Sequence, residues 1–481
     1  MFAFSSNEVT VLERKADIQG NVSSPVLSDV DSVYGLDKCA KWAKENRLSK
    51  ICLQFPDSIL HHAGMVSTIL ENKIGCRVYI LGDTSYGSCC VDEVAAQHVN
   101  ADGIIHFGHA CLTATNNLLP QLYIFEKLPI DCHHFSSSFR CVLMDKFAKI
   151  LLLYDVGYQH AIESIKNILA PEYHNLIVSE IVSGGTSESE GETKLGRNFK
   201  LQEDSKLEDY YIVFIGKDGP TLSNIVILFQ GKLLYWYDPS ERKELEPYNA
   251  NNNKFLMKRM HLIERVKDAQ TLGILVGTLG ASNYLSAVNR MKELAKQRGK
   301  KYYIIAVGKP NVAKLANFPE IDAFVLIACP ENSLLDSKEF YRPIVTPYEV
   351  ELACNLSREW SENYVLEFQH LLPGGRLYQR LEDNADETSE NASDVSLVTG
   401  RVRVLQDEPC DSSLFASNVV ALKGDSTVST NLATGTEFLS RRTWQGLEQK
   451  LGETEVTLAS KGQSGIPQNY DKDVDAMLPK K

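Results

Sequence analysis

The chain has 481 residues, of which 43% are hydrophobic and 23% charged, a composition typical of a soluble globular protein with several domains. Its formal net charge of -12 argues against a surface that wraps DNA or RNA, because such surfaces need basic patches. The N-terminal stretch lacks the basic segment and apolar core of a signal peptide, and no apolar run reaches the roughly 20 residues that span a bilayer. We therefore expect a cytoplasmic protein that contacts neither nucleic acid nor membrane.

Helical and strand-like patterns alternate along the chain. The first series has an amphipathic helix, YGLDKCAKWAKENRL, and buried strands KICLQ, CRVYIL and DGIIHF with helical patterns between them. Two similar series follow, from AKILLLYDV to GKLLYWYDP and from KFLMKRMHLIERVKDAQ to DAFVLIAC. Strands that alternate with helices predict parallel-type sheets with crossover helices. The predicted fold class is α/β, with three pseudo-repeated α/β domains.

The repetition and the composition set the expected domain bounds. We expect an N-terminal extension over 1–31, α/β domains over 32–140, 141–253 and 254–380, and an acidic, polar and mostly disordered tail over 381–481 with a docking segment near 437–451. Within the second domain, residues 183–208 are rich in Gly, Ser, Glu and Thr, which predicts a surface excursion or a mobile loop.

Four cysteines follow the carboxyl ends of predicted strands, which is where ligands bind in open α/β sheets. Cys89 and Cys90 come after CRVYILGD, Cys111 after DGIIHFGH and Cys329 after DAFVLIA. Thiolates that converge in a reducing compartment bind zinc, copper(I) or iron–sulfur clusters. The sequence has no CxxC pair of the kind that structural zinc prefers. Three cysteines from separate segments instead fit a 4Fe–4S cluster with one iron open to substrate.

The other cysteines and the nearby histidines have simpler interpretations. Apolar neighbours predict core positions for five cysteines: Cys39, Cys52, Cys76, Cys141 and Cys354. His106 and His109 precede Cys111 and offer nitrogen ligands. A core position for His106 and an exposed loop position for His109 are the simpler expectations.

The stretches LQFPDSIL, LGDTSYGSCCVDEVAAQHVNADGIIHFGHACL, IACPENS and RRTWQGLE together resemble the diphthamide synthesis family, and more specifically the second of its two related eukaryotic subunits. The resemblance implies three α/β domains around a central 4Fe–4S cluster. It implies transfer of a 3-amino-3-carboxypropyl group from S-adenosylmethionine to a histidine of translation elongation factor 2, the first step of diphthamide biosynthesis. It implies four partners: a paralogous catalytic subunit 1 in a heterodimer, elongation factor 2, a small electron-donor protein and an NADH-dependent reductase.

One feature departs from the catalytic members of this family, which place a cluster cysteine in the middle domain. Here that domain has only Cys141, at its very start. The resemblance assigns Cys89 and Cys329 as metal ligands, and the third ligand is either Cys111 or Cys90. We favour Cys111, because it ends a neighbouring strand, whereas a helical Cys90 would point away from Cys89.

The resemblance and this departure together predict an iron–sulfur subunit that carries no catalytic residue. Such a subunit would support reduction of the catalytic cluster in its partner. The alternatives are a quinolinate-synthase-like 4Fe–4S enzyme and a non-enzymatic scaffold whose cysteines are buried core residues.

Overall fold

The computed structural model of the protein describes residues 30–82, 86–182, 191–203, 205–241, 244–248, 252–335, 340–361, 363–381, 394–400 and 402–403. Nearly all of the predicted N-terminal extension and the predicted docking segment at 437–451 lie outside these ranges. Within them, no helix is long and apolar enough to cross a membrane. The prediction of an α/β fold with mostly parallel sheets is confirmed.

The first α/β body contains a four-stranded parallel sheet in the order β2-β1-β3-β4. Its strands are β1 (Lys50–Gln54), β2 (Arg77–Leu81), β3 (Gly103–Phe107) and β4 (Gln121–Ile124), and its helices are α1 (Val30–Val33), α2 (Leu36–Glu45), α3 (Ala63–Ile74) and α4 (Glu93–His98). Every residue of β3 is buried, as expected for an inner strand of a parallel sheet. Helix α3 ends at Gly75, whose φ of 78° suits glycine at a helix C-terminus.

The second α/β body contains a five-stranded sheet in the order β12-β11-β10-β5-β6, parallel except at β12. Its strands are β5 (Ile150–Tyr154), β6 (Leu176–Val178), β10 (Tyr211–Ile215), β11 (Leu234–Tyr237) and β12 (Glu246–Pro247), and its helices are α5 (Cys132–Val142), α6 (Gln159–Leu169) and α7 (Pro220–Leu228). Phe135 and Phe139 of α5 lie in the same core cluster as the buried residues of β5 and β10. Helix α5 thus packs on the second sheet.

A small antiparallel sheet has two of its three strands within the segment 183–208, which was predicted to be a surface excursion or mobile loop. It consists of β7 (Glu180–Ile181), β8 (Glu192–Lys194) and β9 (Arg197–Phe199), in the order β7-β9-β8. The loop prediction is therefore wrong for 192–199, where β9 is entirely buried. Leu195 and Gly196 both have positive φ and form the tight hairpin turn, and the Arg197 guanidinium donates to the carbonyl oxygens of Tyr154 and Leu195 at 2.8 Å each. These long-range contacts outweigh the polar composition of the segment.

The third α/β body contains a parallel sheet in the order β14-β13-β15-β16. Its strands are β13 (Thr271–Val276), β14 (Lys301–Ala306), β15 (Ala323–Ile327) and β16 (Ile344–Val345), and its helices are α8 (Asn252–Asp268), α9 (Tyr284–Gln297), α10 (Val312–Ala316), α11 (Pro330–Ser333) and α12 (Pro347–Cys354). Helix α12 begins with a capping box between Thr346 and Glu349 and with Pro347 in its first turn. Beyond this body, β17 (Asp394–Val395) pairs with β18 (Val402–Arg403).

The first and third bodies share a clamp at the start of their sheets. Asp102 Oδ2 accepts hydrogen bonds from the backbone N–H groups of Ser49 and Lys50, at 3.0 Å each, where β1 begins. Asp322 Oδ2 accepts two equivalent bonds at the start of β13, at 3.1 Å each. The segments ADGIIHFGHAC and IDAFVLIAC, which end in Cys111 and Cys329, each contain an Asp just before a buried strand, and in both this Asp makes the same contact.

The Asp102 clamp predicts part of the acid sensitivity of the protein. Hydrogen bonds from Ser49 and Lys50 hold the pKa of Asp102 below its usual value of 3.8. A lowered folded-state pKa gives stability that is complete above the unfolded-state pKa and is lost as pH falls through the folded-state value. The melting temperature of Asp102→Asn should therefore lie below that of the wild type at neutral pH, and this difference should shrink as pH falls below about 4. Thermal melting of both proteins, followed by circular dichroism, measures this difference in melting temperature. Asp57→Asn, an exposed substitution, is the control. A difference that does not change with pH would contradict the role of Asp102.

Candidate metal centre

Three loops from two sheets carry the predicted cysteine ligands. Cys89 and Cys90 lie in a turn ahead of α4, Cys111 lies in the loop after β3, and Cys329 lies just beyond β15, directly before α11. The N–H of Cys111 donates to the carbonyl oxygen of Cys89 at 3.1 Å, so the two loops of the first body run side by side. Because α4 begins only at Glu93, Cys90 is not helical, so the sequence argument that a helical Cys90 would point away from Cys89 does not apply.

The sulfur atoms of these four cysteines lie within 4.8 Å of one another. Cys89 Sγ is 3.7 Å from Cys329 Sγ, Cys90 Sγ is 3.5 Å from Cys111 Sγ, and all four are free cysteines. Within the described ranges, no other set of three or more His, Cys, Asp and Glu side chains is arranged to hold a metal ion. A donor set made of thiols alone suits soft metals and iron–sulfur clusters. The residues present therefore fit such a group.

Two polar side chains at the sheet edge fix the turn that precedes α4. Gln54, at the end of β1, donates from Nε2 to the carbonyl oxygen of Cys90 at 2.7 Å and accepts at Oε1 from the N–H of Asp92 at 2.9 Å. His106 Nε2 lies 3.0 Å from the carbonyl oxygen of Ser88 and must donate to it. Burial lowers the pKa of His106, so its ring is neutral. The expectation of a core position for His106 is confirmed, and its hydrogen bond positions the cysteine loop.

Hydrogen bonds also reach the cysteine sulfurs themselves. Asn332 Nδ2 lies 3.1 Å from Cys329 Sγ and 3.3 Å from Cys89 Sγ. The Thr113 hydroxyl lies 3.2 Å from Cys111 Sγ. The thiolate is the form that binds metal, and polar donors stabilise its charge.

The thiols hold their protons unequally. Hydrogen bonds from Cys111 and Cys89 hold the pKa of Cys329 well below the usual thiol value. Hydrogen bonding with Cys111 and Cys329 raises the pKa of both Cys89 and Cys90. Metal binding needs deprotonated thiols, so a bound metal would displace the protons that these cysteines hold.

The second body reaches this region with a carboxylate and a hydroxyl. His109, in the loop after β3, has Nδ1 3.3 Å from Asp155 Oδ1, just past β5, and Nε2 2.8 Å from Glu331 Oε2 in α11. The hydroxyl of Thr221, at the start of α7, donates to Glu331 Oε1 at 3.1 Å. The loops that carry Cys111 and Cys329 are thereby tied to the second sheet.

His109 is an ion-pair partner and not the exposed loop residue that we expected. Burial alone would lower its pKa, but Asp155 and Glu331 outweigh burial and raise the pKa to about 11. Its ring is therefore protonated at neutral pH, when both nitrogens are donors and neither can bind a metal. Neither Asp155 nor Thr221 was singled out from the sequence, because nothing in their local spacing shows that three bodies meet there.

His109→Leu is expected to lower the free energy of unfolding by about 1–3 kcal/mol, because it leaves the Asp155 and Glu331 carboxylates without their shared cation. Urea denaturation of the full chain measures the loss. His98→Leu, an exposed substitution on α4, is the matched control and should change stability little. Equal effects of the two substitutions would rule out the junction.

Only some of the five cysteines predicted to lie in the core are buried. Three are buried: Cys39, Cys52 and Cys354. Cys76 is half-buried and packs against the core of the first body, so the prediction holds in part for it, whereas Cys141 is exposed and the prediction is wrong there. Helix α5 buries Phe135 and Phe139, one turn apart, and Cys141 lies on its opposite side.

Comparisons with known proteins point to one family. A family model described as diphthamide synthesis protein matches residues 55–365, well over half of the chain. The chain is also similar to proteins named 2-(3-amino-3-carboxypropyl)histidine synthase subunit 2. It is 43% identical to the one from Danio rerio over 98% of this chain and 97% of that protein. It is 40% identical to the one from Gallus gallus, over 98% of each, and 35% identical to the one from Schizosaccharomyces pombe, over 97% and 95%.

The fold is similar to a solved archaeal structure, "Crystal structure of Dph2 from Pyrococcus horikoshii with 4Fe-4S cluster". The match has a TM-score of 0.54 at 21% identity and covers 68% of this chain and 93% of that chain. At 21% identity, this similarity shows a shared fold and nothing further. The family match and the relatives along the whole length show that the chain belongs to the diphthamide synthesis family.

Proposed function

We propose that this chain is the iron–sulfur subunit of a heterodimeric enzyme. That enzyme would transfer a 3-amino-3-carboxypropyl group from S-adenosylmethionine to a histidine of translation elongation factor 2. The observation that carries the proposal is the convergence of four cysteines from the first and third bodies. It occurs in a chain that is related, along its whole length, to proteins named as subunit 2 of the histidine synthase.

The ligands that we propose for a 4Fe–4S cluster are Cys89, Cys111 and Cys329, with Cys90 as the alternative third ligand. Cys111 is favoured because its loop continues β3 and because Thr113 donates to its sulfur. Cys90 lies beside it, with its carbonyl oxygen bonded by Gln54. When bound, a cluster of this kind supplies one-electron transfer.

The role that we propose for this chain is to support reduction of the catalytic cluster in the partner subunit. The second body supports this role because its cysteines, Cys132 and Cys141, take no part in the four-cysteine group. What the second body contributes near the cysteine loops is Asp155, which pairs with His109 of the loop after β3. The chain's own residues would thus hold and orient an electron carrier, and the proposal assigns them no contact with S-adenosylmethionine.

The partners that we propose are a paralogous catalytic subunit 1, elongation factor 2 as protein substrate, a small electron-donor protein and an NADH-dependent reductase. The location that we propose is the cytoplasm, where thiols stay reduced.

Anaerobic purification of the full chain, alone and with the proposed subunit 1, tests the function. We expect a brown protein with four irons and four acid-labile sulfides per cluster. The reduced heterodimer should give an electron paramagnetic resonance signal from this chain when the cluster cysteines of the partner are replaced. A colourless, iron-free chain in both preparations would eliminate the cluster and leave the scaffold alternative. A cluster that cleaves S-adenosylmethionine without the partner would overturn the supporting role.

A further inference from the structure

The side chain of Asn332 lies between two of the cysteine sulfurs. Its amide nitrogen is 3.1 Å from Cys329 Sγ and 3.3 Å from Cys89 Sγ. These cysteines come from the third and the first body. A single side chain therefore contacts proposed ligands from both sides of the site.

The geometry requires that the amide present its NH2 group to the sulfurs. A metal-binding thiolate only accepts hydrogen bonds, and of the two ends of an asparagine amide only the nitrogen donates. The backbone that carries this side chain is held next to Cys329, because the main-chain N–H of Asn332 donates to the carbonyl oxygen of Cys329 at 3.0 Å.

A glycine in the cysteine loop makes room for this amide. An added Cβ on Gly87 would lie 2.2 Å from Asn332 Nδ2, far inside van der Waals contact. Any other residue at position 87 would displace the amide from the sulfurs. Gly87 belongs to the first body and Asn332 to the third, so the fit is formed only when the two bodies meet.

We propose that Asn332, accommodated by Gly87, sets the reduction potential of the cluster by donating hydrogen bonds to the thiolates of Cys89 and Cys329. The inference rests on the proposed function, because it assumes that these thiolates ligate a cluster. Hydrogen bonds to ligand sulfurs are among the factors that set cluster potentials. Reduction adds negative charge, and donors stabilise the more negative state, so Asn332 raises the potential. A higher potential lets the cluster accept electrons from a weaker donor and lowers its driving force for passing them on, so Asn332 would set the balance between the two steps.

The test is a redox titration of the anaerobically purified full chain, followed by electron paramagnetic resonance. Asn332→Leu removes the hydrogen bonds to both sulfurs and keeps a side chain of similar volume. Asn332→Asp replaces the amide NH2 group with a carboxylate oxygen, which accepts hydrogen bonds and carries negative charge. Gly87→Ala displaces the amide while leaving Asn332 in the sequence. Asn289→Leu, on the exposed side of α9, is the control.

We expect Asn332→Leu and Gly87→Ala to keep their iron and sulfide content. At a fixed solution potential, their ratio of reduced to oxidised cluster should fall by about tenfold, which corresponds to about 59 mV for one electron. Asn332→Asp should shift the ratio further in the same direction, and Asn289→Leu should leave it unchanged.

Two results would overturn the inference. One is an unchanged ratio in Asn332→Leu with full cluster content. The other is loss of the cluster in all three variants while the wild type and Asn289→Leu keep it, because the amide would then be a structural requirement only. A wild-type chain without iron would instead refute the proposed function, and it is distinguished by iron content before any titration.

Discussion

Replacing Cys329 with alanine is expected to abolish the protein-bound iron and the visible absorption of the anaerobically purified chain. Cys329 is buried, and its sulfur lies within 4.8 Å of those of Cys89, Cys90 and Cys111. Its loss leaves no ligand from the third body, and a cluster cannot then be held between the bodies. Iron and sulfide analysis measures the loss. Cys52→Ala, a buried core position in β1, is the control and should keep its iron.

Single alanine substitutions at Cys90 and Cys111, measured in the same way, decide which of the two is the third ligand. If Cys111 is the third ligand, Cys111→Ala loses the cluster and Cys90→Ala retains it. Because their sulfurs are only 3.5 Å apart, one can substitute partly for the other, and the double variant gives the full effect of losing both. Iron loss in Cys90→Ala with full retention in Cys111→Ala would reverse our assignment.

Arg259→Met is expected to lower the free energy of unfolding by about 3–5 kcal/mol. Arg259 of α8 forms a bidentate pair with Glu349 of α12, and both side chains are buried. The Tyr364 hydroxyl and the N–H of Thr346 donate to the same carboxylate, at 3.0 and 2.8 Å. Removing the guanidinium leaves a buried charge with only these two neutral donors. Urea denaturation measures the loss, with Arg265→Met on the same helix as control.

A second substitution shows whether the unpaired charge is the cause. Glu349→Gln in the Arg259→Met background keeps the carbonyl oxygen that can accept from Thr346 but removes the charge. The double variant should recover at least about 1 kcal/mol of the loss. If it is less stable than Arg259→Met alone, the cost arises from packing and not from the charge.

The sequence predicted the parallel sheets well because most of their inner strands are continuous apolar runs. β5 and β15 are buried along their full length, and such runs need no long-range information to be recognised. The four cysteines were found for a related reason. Each follows a recognisable strand, and carboxyl ends of parallel strands form ligand sites.

The contacts that join the bodies were missed. His109, Asp155 and Glu331 come from three separate segments, and no spacing rule connects them. The β8–β9 hairpin was missed because a Leu-Gly turn lacks the usual Asn-Gly or Asp-Gly signal. Asn332 follows the predicted ligand Cys329 by three residues, but its contact with Cys89 depends on a loop 243 residues away.

The 240 residues between Cys89 and Cys329 have a consequence for how the protein is made. At translation rates of about 5–20 residues per second, the ribosome needs roughly 10–50 s to add the last cysteine after the first. Throughout that interval the nascent chain has the cysteines of its first body and lacks Cys329. If these cysteines hold the proposed cluster, delivery of iron and sulfide must follow synthesis of the third body, and a chain that ends before Cys329 could not be loaded.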